Sequence, residues 1–161
     1  MRTYLAVCCL GLILAAVAGH ATETDFSITI PMENKGRATF YIKGEIGGHG
    51  DVELLVDTGS GYLTINEAAL ADLLRQNRAD YLRRLRGVLA DGSELVVPVY
   101  NIDTVRIGDS CWLNDVEAAV FPGKTRFILG LSALSKAGPF IFNFEPPSLV
   151  VSKCQTLATA G

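Results

Sequence analysis

Short apolar runs, each closed by turn-forming residues, set the range of folds open to this chain. Phe26-Ser27-Ile28-Thr29-Ile30 alternates apolar and hydroxyl residues, as a half-buried strand does. Pro31 to Gly36 reads as a turn, and Ala38, Phe40 and Ile42 open a second alternating run. Gly47-Gly48-His49-Gly50 breaks the chain again before a third run, Val52 to Val56. Val88 to Val97 carries Asp91-Gly92 between strand-forming residues, supplying the two positive-φ positions of a type I′ hairpin. Further strands are expected at Tyr100 to Ile107, Trp112 to Phe121, Phe140 to Phe144 and Ser148 to Ser152, separated by Gly108-Asp109 and Pro146-Pro147. This rhythm indicates a mainly β barrel or sandwich.

Between the strands the spacing predicts one to three short helices. Asn66 is a good N-cap, followed by Leu70, Leu73 and Leu74 at helical intervals. A second helical piece is expected over Ala79 to Arg86, with Leu82 and Leu85 on one face, and a third over Leu131 to Ala137, closed by Gly138 and Pro139. Arg75, Arg78, Arg83, Arg84 and Arg86 make the only basic segment, which reads as a solvated helix face.

The first residues carry a different message. Arg2 precedes the uncharged stretch Tyr4 to Ala18, too short to span a bilayer comfortably, and small-x-small patterns end at Ala18 and Ala21. The expectation is a signal peptide over residues 1–21, cleaved after Ala18 or Ala21, and an exported chain that is periplasmic or secreted. Residues 22–161 then form a single domain of 140 residues with no stable membrane span. Without Arg2 the formal charge moves from −3 to −4, which argues against nucleic acid as a partner. Cys8 and Cys9 leave with the signal. Cys111 and Cys154 remain, an even pair that in an oxidising compartment suggests one disulfide; two separate buried thiols are the other arrangement open to them.

The chemistry is narrowed by what the mature chain lacks. With cleavage after Ala21, His49 is its only histidine, so any Ser-His or Cys-His site would rest on one residue in a glycine-rich turn. Two cysteines and one histidine match no common zinc spacing, and no glycine-rich phosphate loop is present. Neither a metal nor another cofactor is expected. Carboxylate chemistry is left, and one carboxylate stands out. Asp57 follows Leu54-Leu55-Val56 directly, where a buried strand ends and a charge would be costly to bury.

Asp57-Thr58-Gly59, extended by Ser60, matches the Asp-Thr-Gly signature of aspartic proteases. Downstream come Ala90-Asp91-Gly92, Val105-Arg106-Ile107-Gly108, and Ile128-Leu129-Gly130 with Leu134. In this order the set resembles the retropepsin-like aspartic proteases, and most closely their exported bacterial branch, over roughly Thr39 to Val151. The resemblance implies a closed all-β barrel with short helices, and peptide-bond hydrolysis by water held between two carboxylates that share a proton. The chain has one Asp-Thr-Gly, so the second Asp57 would come from a second copy in a homodimer.

By the same resemblance, Thr58 would bond across the dimer axis, Gly59 would bring its amide to the carboxylate, and Ser60 would donate to the outer oxygen of Asp57. Leu89, Ala90, Asp91, Gly92 and Ser93 would form a flap over an extended polypeptide substrate. Ile128, Leu129 and Gly130 would form the loop beneath the site. Two residues depart from the pattern: Gly61-Tyr62 stand where relatives carry small hydroxyl or apolar residues, and Leu131 stands where viral members carry an arginine. The alternatives are a catalytically inactive peptide-binding module on the same fold, and a sandwich adaptor in which Asp57 only caps a turn.

Overall fold

The alternation seen over Phe40 to Ile46 is realised residue by residue: Phe40, Ile42, Gly44 and Ile46 are buried, and Lys43 points to solvent. The same holds for Val52, Leu54 and Val56 on the strand that follows. The computed structural model describes residues 25–88, 92 and 94–155. The expected signal peptide therefore lies outside the described residues.

In chain order the strands are β1 (Ile28–Pro31), β2 (Glu33–Asn34), β3 (Phe40–Ile46), β4 (Gly50–Val56) and β5 (Leu63–Asn66). Helix α1 (Glu67–Arg75) follows, then β6 (Ala79–Val88), β7 (Glu94–Ile107), β8 (Cys111–Phe121) and β9 (Phe127–Leu129). Helix α2 (Leu131–Leu134) runs into a 3-10 turn (Ser135–Ala137) before β10 (Phe140–Phe144) and β11 (Pro147–Val151).

Six strands close a barrel. β3 pairs antiparallel with β4, and β4 lies parallel to β9. β9 meets β5 antiparallel at Thr64↔Ile128, and β5 runs parallel to β8. β8 pairs with β7, and β7 returns to β3 through Gly44↔Ile107 to Ile46↔Val105. Gly44 makes that last seam possible. A Cβ there would sit 2.4 Å from the Arg106 carbonyl oxygen and 2.8 Å from Leu54, so only glycine lets the two strands meet. β2 and β6 attach outside the ring, and β1, β11 and β10 form a separate three-stranded sheet. Ile42, Leu54, Leu63, Ile65, Ile102, Leu113 and Leu129 fill the barrel, each almost wholly buried.

Helix α1 starts where its cap predicts: the Asn66 side-chain oxygen accepts from the Ala69 amide at 3.0 Å. Ala69 and Leu73 are buried under it, while Leu74 is exposed. The helical piece expected over Ala79 to Arg86 is instead strand β6. Its Ala, Leu and Arg content favours helix locally, but nine backbone pairs with β7 decide the matter. Of the basic segment, Arg75 lies exposed in the last turn of α1, whereas Arg83, Arg84 and Arg86 are on a strand and form no helix face. Arg84 and Arg86 lie opposite Pro98 and Val96 on one side of a two-stranded ribbon, and Arg83 lies on the other.

Cys111 and Cys154 are disulfide-bonded, with Cα atoms 4.9 Å apart across a separation of 43 residues. The bond ties the segment after β11 to the start of β8. Around it the Gln155 amide donates to the Trp112 carbonyl (2.9 Å), and the Lys153 amide donates to Ala137 (2.9 Å). Among the described residues, no helix is long and apolar enough to cross a membrane.

Candidate active site

β4 delivers Asp57. Its backbone amide is the last of the strand, donating to the Leu129 carbonyl at 3.2 Å. The chain then turns: the Ser60 amide donates back to the Asp57 carbonyl at 3.2 Å, and the Gly59 amide donates to the carboxylate Oδ1 at 2.9 Å. A Cβ on Gly59 would lie 3.1 Å from that oxygen, so glycine keeps the approach open. Asp57 is half-buried, while Thr58 and Gly59 are exposed at the rim of the barrel.

The turn has a platform. β9 lies between β4 and β5, so Leu129 and Gly130 run directly beneath the loop joining those strands. At Gly130 a Cβ would be 2.2 Å from the Tyr62 carbonyl oxygen and 2.7 Å from that of Ser60. Directly after it, the first free amides of α2 bind the turn: Leu131 donates to the Ser60 carbonyl (2.8 Å) and Ser132 to that of Gly61 (3.1 Å). The Ser132 hydroxyl accepts from the Leu63 amide at 2.7 Å and donates to the Glu117 carbonyl at 2.6 Å. Leu129 and Gly130 are thus brought against Asp57, Ser60 and Tyr62, while Ile128 pairs with Leu55 and Thr64 on the flanking strands.

The Ser60 side chain departs from the expectation. Its hydroxyl donates to the Tyr62 carbonyl at 2.9 Å, not to the Asp57 carboxylate. A hydroxyl has one proton to give, and the tight turn leaves the Tyr62 carbonyl in reach.

Of the expected flap, Leu89, Ala90, Asp91 and Ser93 lie outside the described residues. Gly92 has φ +83°, the left-handed backbone that an Asp-Gly turn needs. The strands leading to it are described: Arg83↔Val99 through Val88↔Glu94 are paired. One face of this ribbon carries Arg83, Leu85, Leu95, Val97 and Val99, the other Arg84, Arg86, Val96 and Pro98.

Sequence reasoning missed a cluster beside the turn. The Tyr62 hydroxyl accepts from Arg83 Nη2 at 3.0 Å, and the guanidinium lies 5.7 Å from the Tyr62 ring centroid. The same guanidinium pairs with both carboxylate oxygens of Glu117 on β8. Arg83 holds the Glu117 carboxyl below the usual carboxylate range, and Arg83 is itself pushed up. Glu117, an acid within the alternating run Trp112 to Phe121, is the sequence signal for this cluster, while Arg83 lies in a segment of helical composition.

His49, the residue on which a nucleophile-histidine site would have rested, is otherwise engaged. Its Nδ1 lies 2.6 Å from Asp72 Oδ2 on α1, and its ring is 5.8 Å from that of Phe127. A cavity of about 480 Å³ opens between β1, β3 and the β7–β8 turn, lined by Ile28, Met32, Tyr41, Lys43 and Asp109, and no residue of the Asp57 turn borders it.

Residues 42–136 match the model of a family described as "gag-polyprotein putative aspartyl protease". The fold is similar to the crystal structure of a retropepsin-like aspartic protease from Rickettsia conorii, with a TM-score of 0.54 and 19% sequence identity. That likeness covers 76% of this chain and 88% of the other. No curated protein matches the sequence.

Proposed function

This chain belongs to the gag-polyprotein aspartyl protease family, of retropepsin-like type, and from that premise we propose an aspartic endopeptidase whose acid pair is completed by a second copy of the chain. One observation carries the reading. Asp57 stands in a rigidly supported turn at the barrel rim, held by Gly59 and seated on Gly130, with Thr58 exposed beside it. The chain has no second Asp-Thr-Gly. A twofold partner brings the second Asp57 to the axis, and Thr58 is the side chain placed to bond across it.

The chemistry then follows. Two carboxylates about 3 Å apart share one proton, since both cannot ionise easily. The ionised Asp57 takes a proton from water as the water oxygen bonds to the peptide carbonyl carbon. The protonated Asp57 of the other copy donates to the carbonyl oxygen. The tetrahedral diol collapses as a proton passes to the amide nitrogen and the C–N bond breaks.

The β6–β7 ribbon acts as the flap over an extended polypeptide, and Leu85, Leu95 and Val97 favour apolar side chains near the scissile bond. The disulfide suits an oxidising compartment and supports export of residues 22–161 as one domain after signal removal. The Ser60 hydroxyl, turned away from the carboxylate, favours a second reading: a peptide-binding module that does not cut.

Purified mature chain should cleave unfolded polypeptide at mildly acidic pH, and Asp57→Asn should not. Equal cleavage by the variant would overturn the aspartic mechanism. Peptide binding without cleavage by the wild type would select the binding module. Sedimentation across concentrations should reveal a dimer; a monomer even with peptide bound would refute the shared site.

A further inference from the structure

Tyr62, Arg83 and Glu117 come from three separate elements, and the Asp57 chemistry uses none of them. Three features coincide at Arg83. β7 pairs with β8 from Ile107↔Cys111 as far as Val99↔Ala119 and no further, and Val99 is the residue opposite Arg83. The β6–β7 register shifts between Tyr81 and Arg83, leaving Leu82 as a bulge. Beyond this point, among the described residues, Arg84 to Val88 pair only with Pro98 to Glu94, so the hairpin continues as two strands without a third. A two-stranded ribbon is marginal alone and bends where its support stops.

At that boundary the Arg83 guanidinium is held from both sides, by Glu117 on the last supporting strand and by Tyr62 in the turn after Asp57. Arginine suits this place. Its planar fork of donors serves a carboxylate and a phenol at once, which a lysine ammonium cannot do in the same geometry. The pair is substantially exposed, with side-chain exposures of 45% for Arg83 and 39% for Glu117, so its Coulomb energy contributes little to stability. Its effect is geometric.

We propose that Arg83 is a positioning residue that fixes the hinge of the β6–β7 ribbon and couples the ribbon to the Asp57 turn through Tyr62. The functional consequence rests on the flap reading given above. A flap that contacts substrate backbone equally in ground and transition states affects KM, whereas the turn keeps its own support from Gly130 and α2 and so keeps kcat.

Amide hydrogen exchange on the mature chain tests the hinge without reference to activity. In the wild type, protection should fall sharply beyond Arg83. In Arg83→Lys and in Tyr62→Phe, exchange should rise about tenfold both at Ala79 to Arg83 and at the Ser60 and Leu63 amides, with Tm nearly unchanged. Tyr62→Phe removes only a hydroxyl and reports even if the arginine variant folds poorly. Unchanged exchange, or a rise confined to the ribbon, would overturn the coupling. On a cleaved peptide, both variants should raise KM several-fold with kcat within about twofold, and a loss confined to kcat would also overturn the assignment. Should the wild type not cleave, the protease reading fails and the exchange result still decides the hinge.

Discussion

Gly130 lies so close beneath Tyr62 that a Cβ there would sit 2.2 Å from the Tyr62 carbonyl oxygen. Backbone, not a flexible side chain, is what a methyl group would meet. Gly130→Ala must therefore lift the turn carrying Asp57 or displace β9, both built into the barrel. The expected result is a loss of at least about 2 kcal/mol in urea unfolding, with cleavage abolished. Fluorescence of Trp112, the only tryptophan, follows the transition.

Asp57→Asn separates chemistry from fold. An asparagine oxygen can still accept from the Gly59 amide, so the turn should persist. It cannot take a proton from water. Cleavage should fall by at least about a thousandfold while Tm stays within a few degrees, measured by peptide assay and thermal melt.

Replacing Cys111 and Cys154 together by serine opens a loop of 43 residues in the unfolded chain. The chain-entropy model gives about 4 kcal/mol for a loop of this size. A loss of roughly 2–4 kcal/mol by denaturant titration, matched by reduction of the wild type, is the expected outcome.

Two carboxyls contribute stability that acid removes. A hydrogen bond from His49, with Arg75 beside it, lowers the Asp72 pKa, and Arg83 lowers that of Glu117. In each the folded value lies below the unfolded one. The stabilisation is therefore complete above the ordinary carboxylate pKa of about 4, and is lost as pH falls through the depressed folded value. Asp72→Asn should be less stable than wild type at neutral pH and equal to it near pH 2. Both ties survive at the mildly acidic pH where an aspartic dyad works.

Much of this was legible in sequence because it is local. Alternation over Phe40 to Ile46 and Val52 to Val56 marked two barrel strands, and Asn66 marked the start of α1. The Asp-Thr-Gly turn and Ile128-Leu129-Gly130 marked the candidate site. What stayed hidden depends on distant partners. Ala79 to Arg86 has helical composition and becomes strand only because β7 is there to pair with it. That misreading concealed which face Arg83 occupies, and with it the link to Tyr62 and Glu117. The β3–β7 seam was equally invisible, since nothing near Gly44 names Arg106 as its neighbour.

β9 sits between the two strands that flank Asp57, though α1, β6, β7 and β8 all come before it in the chain. During synthesis, Asp57 emerges long before Leu129 and Gly130 exist to seat it. The turn has no floor until the last part of the barrel has been made. A nascent or truncated chain thus carries the Asp-Thr-Gly signature without the strand that holds its turn in place.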